Sequence, residues 1–165
     1  MHHVAPWRFA GTGGALVRRF KLDADAGAGR WLARAMADAW RAQVGSTFRR
    51  AVIVPVPLHG NRRRQRGFDQ AAWLAHELSA RLGSLSPIGA MARTRETLPQ
   101  GDPRVVSRAN NVDGAFAVMK AREVMGRNVI LVDDVFTSGA TARQCALVLR
   151  VQGAAAVAVL TACRS

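Results

Sequence analysis

The stretch Val129-Ile130-Leu131-Val132-Asp133-Asp134-Val135-Phe136-Thr137-Ser138-Gly139-Ala140-Thr141 sets two adjacent carboxylates between an apolar run and a short hydroxyl- and glycine-rich turn. Adjacent anions repel each other, and Thr, Ser and Gly bury little apolar surface to offset that repulsion. The order therefore asks for a ligand. Backbone N–H groups of Thr137, Ser138, Gly139, Ala140 and Thr141, backed by the positive end of a following helix, suit a phosphate. Asp133 and Asp134 suit the vicinal hydroxyls of a ribose, which donate hydrogen bonds to carboxylates. A helix capped by Thr137 or Ser138 would account for the turn alone. It leaves the acidic pair without a role.

Two further constellations could serve an anion. In Val54-Pro55-Val56-Pro57-Leu58-His59-Gly60-Asn61-Arg62-Arg63-Arg64-Gln65-Arg66-Gly67-Phe68-Asp69-Gln70, a strand is followed by a proline-bearing turn and four arginines in five positions. Guanidinium groups bind phosphate oxygens in pairs, so a diphosphate and a nucleic-acid backbone both fit, with a solvated loop as the alternative. The other runs from Arg93, Thr94 and Arg95 to Arg108 and carries Pro99, Gly101 and Pro103. It has no clean period and is predicted to be mostly a long loop, of the kind that serves as a lid.

Several other chemistries are excluded by spacing. No Lys follows a G-x-x-x-x-G pattern, and no strand precedes Gly11, Gly13 and Gly14, so neither a P-loop nor a dinucleotide fingerprint is present. A receiver domain would carry its acidic pair near the N-terminus. Cys145 and Cys163 lack Cys-x-x-Cys spacing and fall at apolar positions, as reduced core thiols do.

The elements that must position these residues alternate from residue 51 onward. Residues 51–57 are a continuous apolar run too short for a helix, the pattern of a strand buried on both faces. Asp69 then precedes a helix with Leu74, Leu78 and Leu82 at intervals of four, stopped by Gly83. Residues 87–91 and 115–119 are weaker strand candidates, followed by the strand at 129–132. Gly139 opens a helix with Ala142, Cys145, Ala146 and Leu149 on its core face, Gly153 ends it, and 156–161 makes the last strand. Such alternation predicts an α/β fold with a mainly parallel sheet flanked by helices, whose ligands bind at the carboxyl ends of the strands.

Residues 1–50 read as a separate, small N-terminal helical hood or flap, and 51–165 as the α/β core, within one compact domain overall. Leu32, Met36, Ala39 and Trp40 mark an amphipathic helix in the hood. Trp7, Trp31, Trp40 and Trp73 read as packing residues. The 165 residues, 49% of them hydrophobic, are enough for one buried core. The formal net charge of +13, from 24 basic and 11 acidic residues, favours an anionic partner, although an arginine-rich composition alone can produce it. No apolar run approaches the ~20 residues that span a bilayer, and no signal peptide is visible, so no membrane association and a cytoplasmic location are expected.

Taken together the motifs resemble one family. Pro-x-Pro-Leu with Arg-Arg-x-Arg-Gly-Phe-Asp-Gln, Arg-x-Arg-x-Thr-x-Pro-Gln, Arg-x-x-Asn-Val-x-Gly-Ala-Phe and the acidic-pair signature, in that order, are similar to the ComF family of competence-associated proteins, which resemble type I phosphoribosyltransferases. The match runs from about Phe9 to Arg164. Members often carry an N-terminal zinc ribbon with paired Cys-x-x-Cys, which is absent from this sequence, and usually have Asn in place of Asp69 and Leu in place of Pro103. None of these departures touches the ribose-phosphate motif.

The resemblance implies the type I phosphoribosyltransferase fold and binding of 5-phosphoribosyl-1-diphosphate with Mg2+. It assigns Asp133 and Asp134 to the ribose, and residues 137–141 to the 5′-phosphate. Leu58, His59, Arg62, Arg63, Arg64 and Arg66 go to the diphosphate, and Arg93, Arg95 and Arg108 to a lid. The metal would travel with the diphosphate and need no direct protein ligand. A pentosyltransferase of nucleoside metabolism, moving the phosphoribosyl group to a nitrogen acceptor, is one expectation. The other is an accessory of DNA uptake, handling single-stranded DNA or working with a DNA-uptake helicase on the same scaffold.

Overall fold

A computed structural model describes residues 1–48, 50–58, 67–83, 89–95 and 114–165. In chain order these form β1 (His2–Val4), β2 (Trp7–Arg8), α1 (Gly11–Leu22), α2 (Ala26–Gln43), a 3-10 turn (Gly45–Phe48), β3 (Val52–Pro55), α3 (Gln70–Leu82), β4 (Met91–Arg93), β5 (Phe116–Val118), α4 (Ala121–Val124), β6 (Asn128–Phe136), α5 (Ala140–Val151) and β7 (Ala156–Arg164). The sheet order is β1-β7-β6-β3, every pairing is parallel, and β2 continues the edge along β7 beyond β1.

β6 sorts its side chains onto two cores, as a strand buried on both faces must. Ile130 and Val132 join Ile53 and Leu160 beneath α1, α2 and α3, where Phe20, Leu32, Met36, Leu74 and Leu78 are fully buried. Val129 and Leu131 join Val52, Val54 and Val159 on the other face, beneath Cys145 and Leu149 of α5. α2 lies close enough that a Cβ at Gly29 would come within 2.6–2.8 Å of the Trp73 and Phe20 rings, so only glycine fits there.

The helical reading of residues 1–50 holds for α1 and α2 and misses β1 and β2. Those strands are the sheet's edge, and the two helices share the first core with α3 and the sheet. Trp40 is buried, and Trp7 and Trp73 pack against that core. Trp31 is exposed, beneath the guanidinium of Arg34, and does not pack as expected. The weaker strand candidates lie outside the parallel sheet: β4 and β5 pair antiparallel as a separate ribbon, with Met91 and Phe116 buried in the second core. Of the expected strand at 87–91, residues 87 and 88 lie outside the described residues. Both cysteines are free and buried, and burial pushes the Cys163 thiol up to about 11. Among the described residues no helix is long and apolar enough to cross a membrane.

Candidate functional site

The acidic pair sits within β6, not beyond its end as the apolar run had implied. β6 continues to Phe136 by pairing with β7, Asp133 opposite Thr161 and Phe136 opposite Arg164, whereas β3 stops at Pro55 opposite Val132. One flank of residues 133–136 is therefore open. A cavity of about 280 Å³ occupies that gap, at the carboxyl ends of parallel strands where such sheets take ligands.

The two carboxylates have different surroundings. Asp134 is buried on the α1 side, where the Lys21 ammonium meets its Oδ2 at 2.7 Å, with the two side chains 28% and 9% exposed. Asp133 lies toward α5, half-buried, with Oδ1 accepting from the Asp134 N–H at 2.8 Å. Desolvation first, and then the Asp134 charge, push its carboxyl up to about 7, with Lys21 pulling the other way.

The turn that follows is shaped by Gly139, at φ 73°, where a side chain is strained; an added Cβ would stand 2.4 Å from the Phe136 ring. α5 starts one residue later. Ala140 N–H reaches Ser138 Oγ at a long 3.4 Å, and Arg143 closes the turn from outside by donating to the Ser138 carbonyl at 2.7 Å. Thr137, Gly139 and Thr141 line the same cavity as Asp133 and Asp134, whereas Ser138 and Ala140 do not line it. Hydroxyl acceptors from one wall, turn amides from another and carboxylates between them suit a phosphorylated polyol.

The remaining predicted residues divide. Leu58 and Arg93 line the cavity; Arg95 does not. Arg93 belongs to β4, with its guanidinium 5.3 Å from the centre of the Phe116 ring, and so is strand rather than the long loop expected from 93 onward. His59, Arg62, Arg63, Arg64, Arg66 and Arg108 lie outside the described residues.

Sequence reasoning missed three wall residues. Lys21 has no spacing signal, because its role depends on how α1 crosses the sheet. Thr161 is buried opposite Asp133 and donates to the Cys163 carbonyl at 3.0 Å. Gln70, the first residue of α3 after the Asp69 cap, is 4% exposed, and its Nε2 has no hydrogen-bond partner among the described residues. A buried amide donor left unmet is costly, and a ligand acceptor in the cavity would meet it.

Among the described residues no group of three His, Cys, Asp or Glu side chains converges on one point, and Asp134 is already engaged by Lys21. Asp133 and Asp134 could add carboxylate oxygens to a Mg2+ ion that already carries phosphate oxygens.

Several proteins are similar to this chain in sequence. "DNA utilization protein YhgH" of Escherichia coli (strain K12) is 39% identical over 113 residues, 68% of this chain and 49% of its own length. "Competence protein ComFC" of Bacillus subtilis (strain 168) is 30% identical over 154 residues, 89% of this chain and 58% of that protein. "Competence protein F" of Haemophilus influenzae is 34% identical over 102 residues, 61% of this chain and 44% of its own. The chain belongs to the ComF family. It spans about half the length of these relatives, and no family model matches it.

Among solved structures, the "allosteric regulatory enzyme of purine biosynthesis" is similar at a TM-score of 0.52 and 20% identity, over 81% of this ComF-family chain and 25% of its own. A hypoxanthine phosphoribosyltransferase from Staphylococcus aureus gives a TM-score of 0.49 at 13% identity, over 80% of this chain and 62% of that one. The likeness to the purine-biosynthesis enzyme is one of fold alone, an α/β arrangement with a mainly parallel sheet flanked by helices.

Proposed function

We propose that the cavity binds 5-phosphoribosyl-1-diphosphate, with Mg2+ carried on its phosphates, and transfers the phosphoribosyl group to a nitrogen acceptor. The observation that carries this reading is that Asp133, Asp134, Thr137, Gly139 and Thr141 line one cavity at the open flank of β6. The turn's amides hold the 5′-phosphate, and the two carboxylates accept from the ribose hydroxyls. Hydrogen bonds to its charged form draw Asp133 back toward ionisation on binding. In the transfer, the C1–O bond to diphosphate breaks, diphosphate leaves with that electron pair, and the acceptor nitrogen forms the C1–N bond and loses its proton.

Charge builds on the leaving diphosphate and at C1, so cations at one end and carboxylates at the other favour the transition state. Bound Mg2+ would supply charge neutralisation at the leaving group. Arg93 reaches the cavity from β4, and Arg62, Arg63, Arg64, Arg66 and Arg108 are the sequence's other candidates for that end. Calorimetry with 5-phosphoribosyl-1-diphosphate and Mg2+ tests the reading. Saturable binding that weakens at least tenfold in the Asp133→Asn, Asp134→Asn double variant is expected, and absence of binding by the unaltered chain would overturn it. Release of diphosphate with nucleobases, ammonia or aromatic acids then identifies the acceptor.

The similarity to a DNA utilization protein and to competence proteins favours a second role, in handling DNA, and the +13 charge suits it. Single-stranded DNA or a DNA-uptake helicase would be the partner. Fluorescence anisotropy with a labelled single strand should then show affinity falling steeply with salt; salt-insensitive or absent binding rejects this role.

A further inference from the structure

Most described arginines are occupied. Arg19 pairs with Asp25, Arg41 with Asp38, Arg81 with Glu77, Arg143 bonds the Ser138 carbonyl, and Arg18 lies over Phe9. Arg8 and Arg164 differ. They stand directly opposite each other on the neighbouring strands β2 and β7, and neither guanidinium has a hydrogen-bond or ion-pair partner among the described residues. Like charges directly across a strand pair repel. Both line a second cleft, of about 260 Å³, with His3, Trp7 and Gln43, and none of its lining residues is acidic. The cleft thus collects guanidinium and amide donors with nothing anionic to receive them.

His3 ties this cleft to the main cavity. Its ring stacks on Phe136 with centroids 4.0 Å apart, and Nε2 lies 2.9 Å from Thr161 Oγ1. The Thr161 hydroxyl proton is already given to the Cys163 carbonyl, so Nε2–H is the donor to Thr161 and Nδ1 carries the lone pair. His3 and Phe136 are therefore the partition between the cleft and the turn at 137–141.

We propose that Arg8, Arg164 and Gln43 form a phosphate-binding subsite, separate from the main cavity, that takes a free phosphate or a phosphodiester of a nucleic-acid strand. Paired guanidinium groups match phosphate oxygens, and an anion between them relieves their mutual repulsion. The same anion would stand beside His3. Desolvation first, and then the Arg164 charge, hold that ring below its ordinary range. Occupancy of the subsite raises its pKa, and Nδ1 takes the added proton without disturbing the bond to Thr161.

Nuclear magnetic resonance of the His3 ring tests this at constant ionic strength, with inorganic phosphate in one arm and a short oligothymidylate in the other. A saturable shift of the His3 signals, a raised His3 pKa, and affinity about tenfold weaker in Arg8→Gln with Arg164→Gln are expected. Response to oligothymidylate marks the phosphodiester strand as the source, and response to inorganic phosphate alone marks the free ion. Amide signals of residues 138–141 report the main cavity independently, and both arginines are exposed, so the variant keeps its fold. No His3 response in either arm, or the same response in the double variant, would overturn the subsite whatever the main cavity binds.

Discussion

Asp133 and Asp134 are adjacent in sequence and border one cavity, yet one is compensated and the other is not. Asp134 turns toward α1 and is held by Lys21 at 2.7 Å. Asp133 turns toward α5, where burial and its neighbour's charge push its carboxyl up. The sequence suggested that both anions together wait for a ligand. The fold has neutralised one from within and left the other half-satisfied, so the ligand's stabilising contribution should be concentrated on Asp133.

Breaking the compensated half should have the largest effect. Lys21→Met leaves Asp134 buried without its partner, and removing one member of a buried pair costs about 3 kcal/mol, reduced from the fully buried case because Lys21 keeps some solvent contact. Urea denaturation should show this loss, and adding Asp134→Asn should recover most of it. Gly139→Ala tests the scaffold on the Asp133 side. With φ at 73° and Phe136 in the way, about 2 kcal/mol should be lost, together with phosphate affinity.

Asp133→Asn should do the opposite of Lys21→Met. The folded protein holds the Asp133 proton to about pH 7, whereas the unfolded chain releases it near 3.8, so stability falls as pH rises across that window. The asparagine variant should lose this decline and gain about 1 kcal/mol at pH 7, after allowance for partial screening by solvent. Thermal melts from pH 4 to 8 would show it. A decline that survives the substitution would assign it to another group.

The local periods in the sequence were long enough to find α3, α5 and the apolar part of β6, and the glycine-bearing turn was legible because its backbone chemistry is local. Asp69 announced itself as a cap, and it accepts from Ala72 N–H at 3.0 Å. β1 and β2 were not legible: strands of three and two residues have no alternation to read, and their existence depends on β7 lying beside them. The same holds for Lys21 and Gln70, whose roles come from where α1 and α3 end in space. Trp31 read as a packing residue and yet faces solvent, because it lies off the Leu32, Met36 and Trp40 stripe that α2 buries.

The account rests on one cavity taking a phosphorylated ribose between the turn and the acidic pair. Amide resonances of the full chain titrated with 5-phosphoribosyl-1-diphosphate and Mg2+ test it most directly. Saturable shifts centred on residues 133–134 and 138–141, lost in Asp133→Asn with Asp134→Asn, are the predicted result. Unchanged signals at those residues under saturating ligand would contradict it.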